Sequence, residues 1–168
     1  EKGDEACVRA LLAADANMAA VSEDGTTPLH HASTLGQATC VRALLEGGAN
    51  KEATNQNGAT PLWMACRSGQ EACVRALLAT GAQTEAANKD GATPLYAACE
   101  RGLDAIVHLL LHAGASQTAR TSSGATPASI ARASGHAAVV RLLKDAQAGC
   151  LPALSVVPTL DVVQSAGA

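Results

Sequence analysis

The sequence predicts an all-α fold: a solenoid of stacked helix-turn-helix units with β-hairpin-like fingers between them. Three observations carry this. Thr-Pro-Leu begins at Thr27, Thr60 and Thr93, with Thr126-Pro127-Ala128 following in phase, so that each step is 33 residues. Two glycine ladders keep the same step, one through Gly36, Gly69, Gly102 and Gly135 and one through Gly48, Gly81 and Gly114. The hexapeptide Cys-Val-Arg-Ala-Leu-Leu occupies residues 7–12, 40–45 and 73–78. A fixed period of this length marks units that cannot bury their own apolar faces and so cover one another.

The period divides residues 1–146 into a partial repeat (1–21), three full repeats (22–54, 55–87 and 88–120) and a C-terminal capping repeat (121–146), followed by a tail, 147–168. In the partial repeat, Asp15 stands where glycine ends the later outer helices. Half of that unit is missing, so the chain reads as a fragment, and an added upstream helix is expected to raise its melting temperature. In the full repeats, Asp24-Gly25, Asn57-Gly58 and Asp90-Gly91 are tight-turn pairs that mark the tips of fingers, with Ser123-Gly124 in the cap. Thr27 then suits an N-cap, and Pro28 the first helical position, where its missing N–H costs nothing.

That first helix is predicted over residues 28–35, ending at Gly36, and a second over 38–46, with Val41, Leu44 and Leu45 at helical spacing. Gly48 fits the left-handed residue that closes it. The capping repeat places Lys144 where earlier units have Leu45, Leu78 and Leu111, as suits a last layer with no neighbour. The tail breaks the period at Pro152 and Pro158 but is too apolar for an ordinary linker. It either packs on the last repeat, begins another segment or docks elsewhere.

The run Asp24-Gly25-Thr26-Thr27-Pro28-Leu29-His30-His31-Ala32, with Gly36, Val41, Leu44-Leu45 and Gly48-Ala49, resembles the ankyrin repeat over residues 1 to about 146. The resemblance implies an L-shaped stack, shorter inner helices lining a concave face, and binding of other proteins without chemistry of its own. It also implies that His30 is a structural residue bonding within its own turn. Trp63, Tyr96 and Ser129 replace that histidine in later repeats. Lys51, Thr84 and Gln117 stand where the family has an apolar residue, which makes the finger bases polar. Glu52, Glu85 and Thr118 replace the asparagine that is hydroxylated in some family members, so that modification is not expected.

Composition narrows the function. With aromatics at 1% and apolar residues at 48%, the core must be built from Leu, Val, Ala and Cys in thin layers. A net charge of −3 supplies no cationic face for nucleic acid. No stretch approaches the ~20 apolar residues that cross a bilayer, and no secretory signal is evident. Cys7, Cys40 and Cys73 share one repeat position and Cys66 and Cys99 another, without the close pairing of zinc modules. They read as small hydrophobes filling equivalent slots, which implies a reducing compartment. Cys150 falls outside the pattern and is expected to be exposed. His108 and His112 are spaced to share a metal on one helix face, but lack a third ligand and the Glu of a His-Glu-x-x-His motif. No nucleophile elbow, phosphate loop or framed carboxylate pair is present, so no catalytic residue, metal or cofactor is expected.

The candidate binding surface follows from helical geometry. His31, Thr34 and Leu35, then Met64, Arg67 and Ser68, then Ala97, Glu100 and Arg101 occupy the inner-helix face that varies between copies while the framework does not. Finger residues Glu23, Asp24, Thr26, Gln56, Asn57, Lys89 and Asp90 extend that strip. Trp63 and Tyr96 are the only aromatics, and with Arg67 and Arg101 they are the leading anchor candidates, against the alternative that Trp63 only fills space between fingers. The expected partner is another protein, with no nucleic acid and no membrane, bound by a monomer in the cytoplasm or the nucleus. A regulatory or targeting arm of a larger enzyme, of kinase or ubiquitin-ligase adaptor type, is the alternative function. A purely structural spacer is the third.

Overall fold

The computed structural model describes residue 9 and residues 17–151. Cys7, Leu11, Leu12, Asp15 and the tail from Pro152 onward lie outside the described residues. Within them the chain forms eight helices and no strand. Four are short: α1 (Pro28–Leu35), α3 (Pro61–Arg67), α5 (Pro94–Glu100) and α7 (Pro127–Ala133). Each is followed by a longer partner: α2 (Ala38–Glu46), α4 (Glu71–Ala79), α6 (Asp104–His112) and α8 (Ala137–Gln147). The short inner helices pack in series, α1 on α3 on α5 on α7, and the outer ones likewise, α2 on α4 on α6 on α8. Each inner helix also packs on its own outer helix. This is an all-α stack of helix-turn-helix units.

Local chemistry sets each boundary. Thr27, Thr60, Thr93 and Thr126 are extended N-caps whose hydroxyls accept the N–H three residues on, at 3.4, 3.2, 3.3 and 3.2 Å. A proline opens every inner helix. Gly36 closes α1 with φ 76°, and Gly48 follows α2 with φ 86°, the left-handed region expected of Gly48 and shared by Gly36. The outer helices begin at Gln37, Gln70, Leu103 and His136 without a side-chain cap. Two of these side chains instead reach back to the preceding repeat. Gln70 Nε2 donates to the Thr34 carbonyl at 3.2 Å, and His136 Nε2 to the Glu100 carbonyl at 3.1 Å. They satisfy orphan carbonyls at the ends of α1 and α5.

The finger turns differ from the tight Asp-Gly pair in one respect. Gly25 N–H donates to the Ser22 carbonyl at 2.9 Å, and Ser22 N–H to the Thr26 carbonyl at 3.0 Å. Glu23 and Asp24 are therefore the central pair, and Gly25, at φ 77°, is the third loop residue. This is the three-residue hairpin loop that ends on a left-handed residue. Successive fingers are tied side by side. Gln56 N–H donates to the Asp24 carbonyl at 2.9 Å, Lys89 to Asn57 at 2.9 Å, and Ser122 to Asp90 at 2.8 Å. The polar finger bases hold similar ties: Glu52 Oε1 accepts Gln83 N–H at 3.0 Å, and Glu85 Oε1 accepts Ser116 N–H at 2.8 Å.

One continuous core runs through the layers, with Leu29, Leu62 and Leu95 from the inner helices and Val41, Val74, Val107 and Val139 from the outer ones. Cys40, Cys66, Cys73 and Cys99 are buried free thiols in this core, and Cys150 is exposed. Burial pushes the Cys73 thiol up to about 11 and the Cys99 thiol up to about 12, and raises Cys66 as well. Such thiols remain protonated and unreactive. In α8, Val139 and Leu143 are buried while Lys144 is exposed.

Candidate functional site

The side chain at the third inner-helix position decides how one repeat meets the next. His30 is fully buried, and its Nδ1 accepts the Thr27 N–H at 3.2 Å, the bond expected within its own turn. Its Nε2 also donates to the Ala59 carbonyl at 3.0 Å, in the following finger. Burial holds its pKa below the usual 6.5, so the ring stays neutral. Trp63 occupies the same position one repeat on, and its Nε1–H donates to the Ala92 carbonyl at 2.9 Å. The indole is 6% exposed and packs with Ala59, Ala97 and Met64 in a second small core. The structure therefore places Trp63 between fingers, with its polar atom already engaged.

Above this layer, fingers and inner helices enclose an open groove in two adjoining parts. The larger, ≈ 630 Å³, brings together Asp24 and Asn57, Met64 and Arg67, and Lys89 and Arg101, with Ser68 and Asp90 also on its wall. The smaller, ≈ 360 Å³, adds Tyr96 and Glu100. Trp63, Arg67, Asn88 and Asp90 line both. The Arg67 guanidinium carbon lies 5.3 Å from the Trp63 ring centroid, a cation–π arrangement that holds it over the groove floor. Burial, and next the Glu100 carboxylate, raise the Tyr96 pKa, so its phenol remains a neutral hydrogen-bonding group. Hydrogen bonds from Ser22 first, then from Thr26, hold the Asp24 carboxyl at about 2.

Several expected surface residues lie elsewhere. Thr26 is 7% exposed, and its N–H donates to Asp24 Oδ1 at 3.1 Å, so it serves the finger's internal bonding. Gln56 Nε2 donates to the Glu23 carbonyl at 2.7 Å, which joins two exposed finger tips outside the groove walls. His31 is exposed, and the half-buried Thr34 hydroxyl donates to the His30 carbonyl at 2.9 Å. Leu35 is 65% exposed and lines a separate depression of ≈ 450 Å³ with Gln37 and Ala72. Asn55, Asn88, Ser122 and Ser123 line the groove without having been expected there. Their signal was available: Ser122 and Ser123 continue the phase of Lys89 and Asp90, and Asn55 and Asn88 open successive fingers.

The His108 and His112 rings meet edge-on with centroids 4.7 Å apart. Among the described residues no three His, Cys, Asp or Glu side chains cluster as a metal site would require. No helix among them is long and apolar enough to cross a membrane.

A comparison with curated proteins returns no match. The family model for ankyrin repeats in three copies matches residues 1–88, 48–121 and 81–152. These overlapping matches follow the stack of finger, inner helix and outer helix, and with that geometry they show that the chain belongs to the ankyrin repeat family.

Proposed function

We propose that this chain is a non-enzymatic interaction module that holds a segment of another protein in the groove between its fingers and inner helices. Ankyrin repeats generally act as protein–protein interaction modules and are typically non-enzymatic. One observation carries the reading to this surface. Positions that stay constant between copies, such as Leu29, Leu62 and Leu95, are buried, whereas the varying Met64, Arg67, Glu100 and Arg101 converge on the groove wall. Variation is free where packing does not dictate identity, and a ligand is what would use it. The repeat domain, residues 1–146, acts as a monomer, and its buried free thiols suit the reducing cytoplasm.

The test is capture of protein partners from the native cell by wild type and by an Arg67→Ala/Tyr96→Ala/Arg101→Ala variant, identified by mass spectrometry. Trp63 is left intact because its indole belongs to the core. Loss of the captured partner at unchanged helical content is the expected result. Equal capture by both proteins refutes the location.

A further inference from the structure

We infer that the segment held in the groove is acidic, and that Arg67 and Arg101, with Lys89 at the rim, read carboxylates on it. This rests on the interaction reading above and goes on to the chemistry of the ligand. In the larger part of the groove, three cations, Arg67, Lys89 and Arg101, face two carboxylates, Asp24 and Asp90, while the third carboxylate, Glu100, lines the smaller part. The two signs differ in what they have left to offer. Asp24 accepts the Ser22 hydroxyl at 2.5 Å and the Thr26 N–H at 3.1 Å, and Asp90 accepts the Asn88 amide at 3.4 Å. Both carboxylates are engaged by their own fingers.

The cations are not. Arg67, Lys89 and Arg101 make no ion pair among the described residues, and the pairs of Arg9 with Glu46 and Arg75 with Glu71 lie away from the groove. Arg67 has only the Trp63 ring face beneath it, which leaves the guanidinium edge and its donors directed at whatever fills the groove. Arg101 is exposed, just past the end of α5, and its side chain has no hydrogen-bond partner among the described residues. An arginine fork matches a carboxylate in two parallel bonds, which a neutral amide does not reproduce. Net charge argues the same way in reverse: the chain carries −3 overall, so a polyanion such as nucleic acid gains nothing beyond this one patch. A carboxylate-bearing peptide segment fits the open donors of the larger part, where the cations outnumber the carboxylates.

The experiment is selection of a random peptide display library on the full chain, with winning peptides resynthesised and their affinities measured against variants. Peptides rich in Asp and Glu are expected, with affinity falling steeply as salt rises. Arg67→Gln/Arg101→Gln should weaken them by roughly 10- to 100-fold, as loss of charge-assisted bonds implies. Arg67→Lys/Arg101→Lys, which keeps charge but not the fork, should fall between. Winning peptides that lack acidic residues, yet lose binding in a Met64→Ala/Tyr96→Ala variant, overturn this inference and leave the interaction reading standing. No enrichment over an unrelated ankyrin stack overturns both. Retention of a labelled single-stranded oligonucleotide in preference to every selected peptide overturns the peptide assignment.

Discussion

Trp63 and Ala92 are joined across two repeats: the indole N–H of one inner helix donates to the carbonyl of the next finger at 2.9 Å. The bond repeats, with a different ring, the one that His30 makes to Ala59 at 3.0 Å. A substitution that looks like loss of a structural histidine is thus a replacement of one ring donor by another. The larger ring also supplies the surface on which Arg67 rests.

Trp63→Phe should isolate the value of that bond. The Ala92 carbonyl still accepts the Asn88 N–H at 3.0 Å, so it is not orphaned. The expected loss is about 1 kcal/mol, the net worth of one hydrogen bond, read from urea denaturation midpoints. A loss several times larger would mean that the indole's shape, rather than its N–H, sets the spacing of the fingers.

His30 makes stability depend on pH. Its folded pKa lies below 6.5, the value it regains on unfolding, so below that pH the unfolded chain binds the extra proton. The His30 contribution is complete above about pH 6.5 and is lost as pH falls through the folded value. Protonation at Nδ1 would also set a new N–H against the Thr27 N–H that it now accepts. Denaturant midpoints at pH 8 and pH 5 should differ more for wild type than for His30→Gln. An NMR titration should place His30 below the ordinary imidazole value of 6.5.

Two left-handed glycines should respond differently to alanine. Gly36 has φ 76°, and an added Cβ would clash with Gln70 Oε1, which would dislodge the amide that caps α1. Gly114 has φ 83° with nothing within 4 Å of an added Cβ. Gly114→Ala should cost about 1 kcal/mol from backbone strain alone. Gly36→Ala should cost about 2–3 kcal/mol, because a helix-capping bond is lost as well. Equal midpoints for the two variants would remove the capping role of Gln70.

Ser33 offers a gain. Its hydroxyl is fully buried and meets no partner among the described residues, whereas Cys66 and Cys99 fill the same slot in the next two layers. Ser33→Cys should stabilise the chain by about 1 kcal/mol by removing a buried unpaired polar group. A thermal melt would show it, and a lowered midpoint would mean that the hydroxyl is bonded in solution.

Elements specified by neighbouring residues were legible in the sequence. Pro28 after Thr27, and Gly36 and Gly48 at the far ends, mark α1 and α2 at the bounds observed. The slots of Cys66 and Cys99 followed from their period. Contacts between repeats were less accessible. His30 bonds 29 residues ahead, Glu52 31 ahead, and Gln70 36 behind, and no local pattern announces such partners. Trp63 and Arg67 show the same limit within the groove. Both stood out as the residue types that anchor interfaces, but only the packed stack makes one the floor and the other the group displayed on it.

The finger ties also govern how the protein can lengthen. Asp24 to Gln56, Asn57 to Lys89 and Asp90 to Ser122 form one rail in which every link spans the same interval along the chain. Duplicating residues 55–87 in tandem would give the newcomer a donor for the finger before it and an acceptor for the one after. Growth by whole units therefore leaves no link open, whereas an insertion of any other length breaks the rail where it enters.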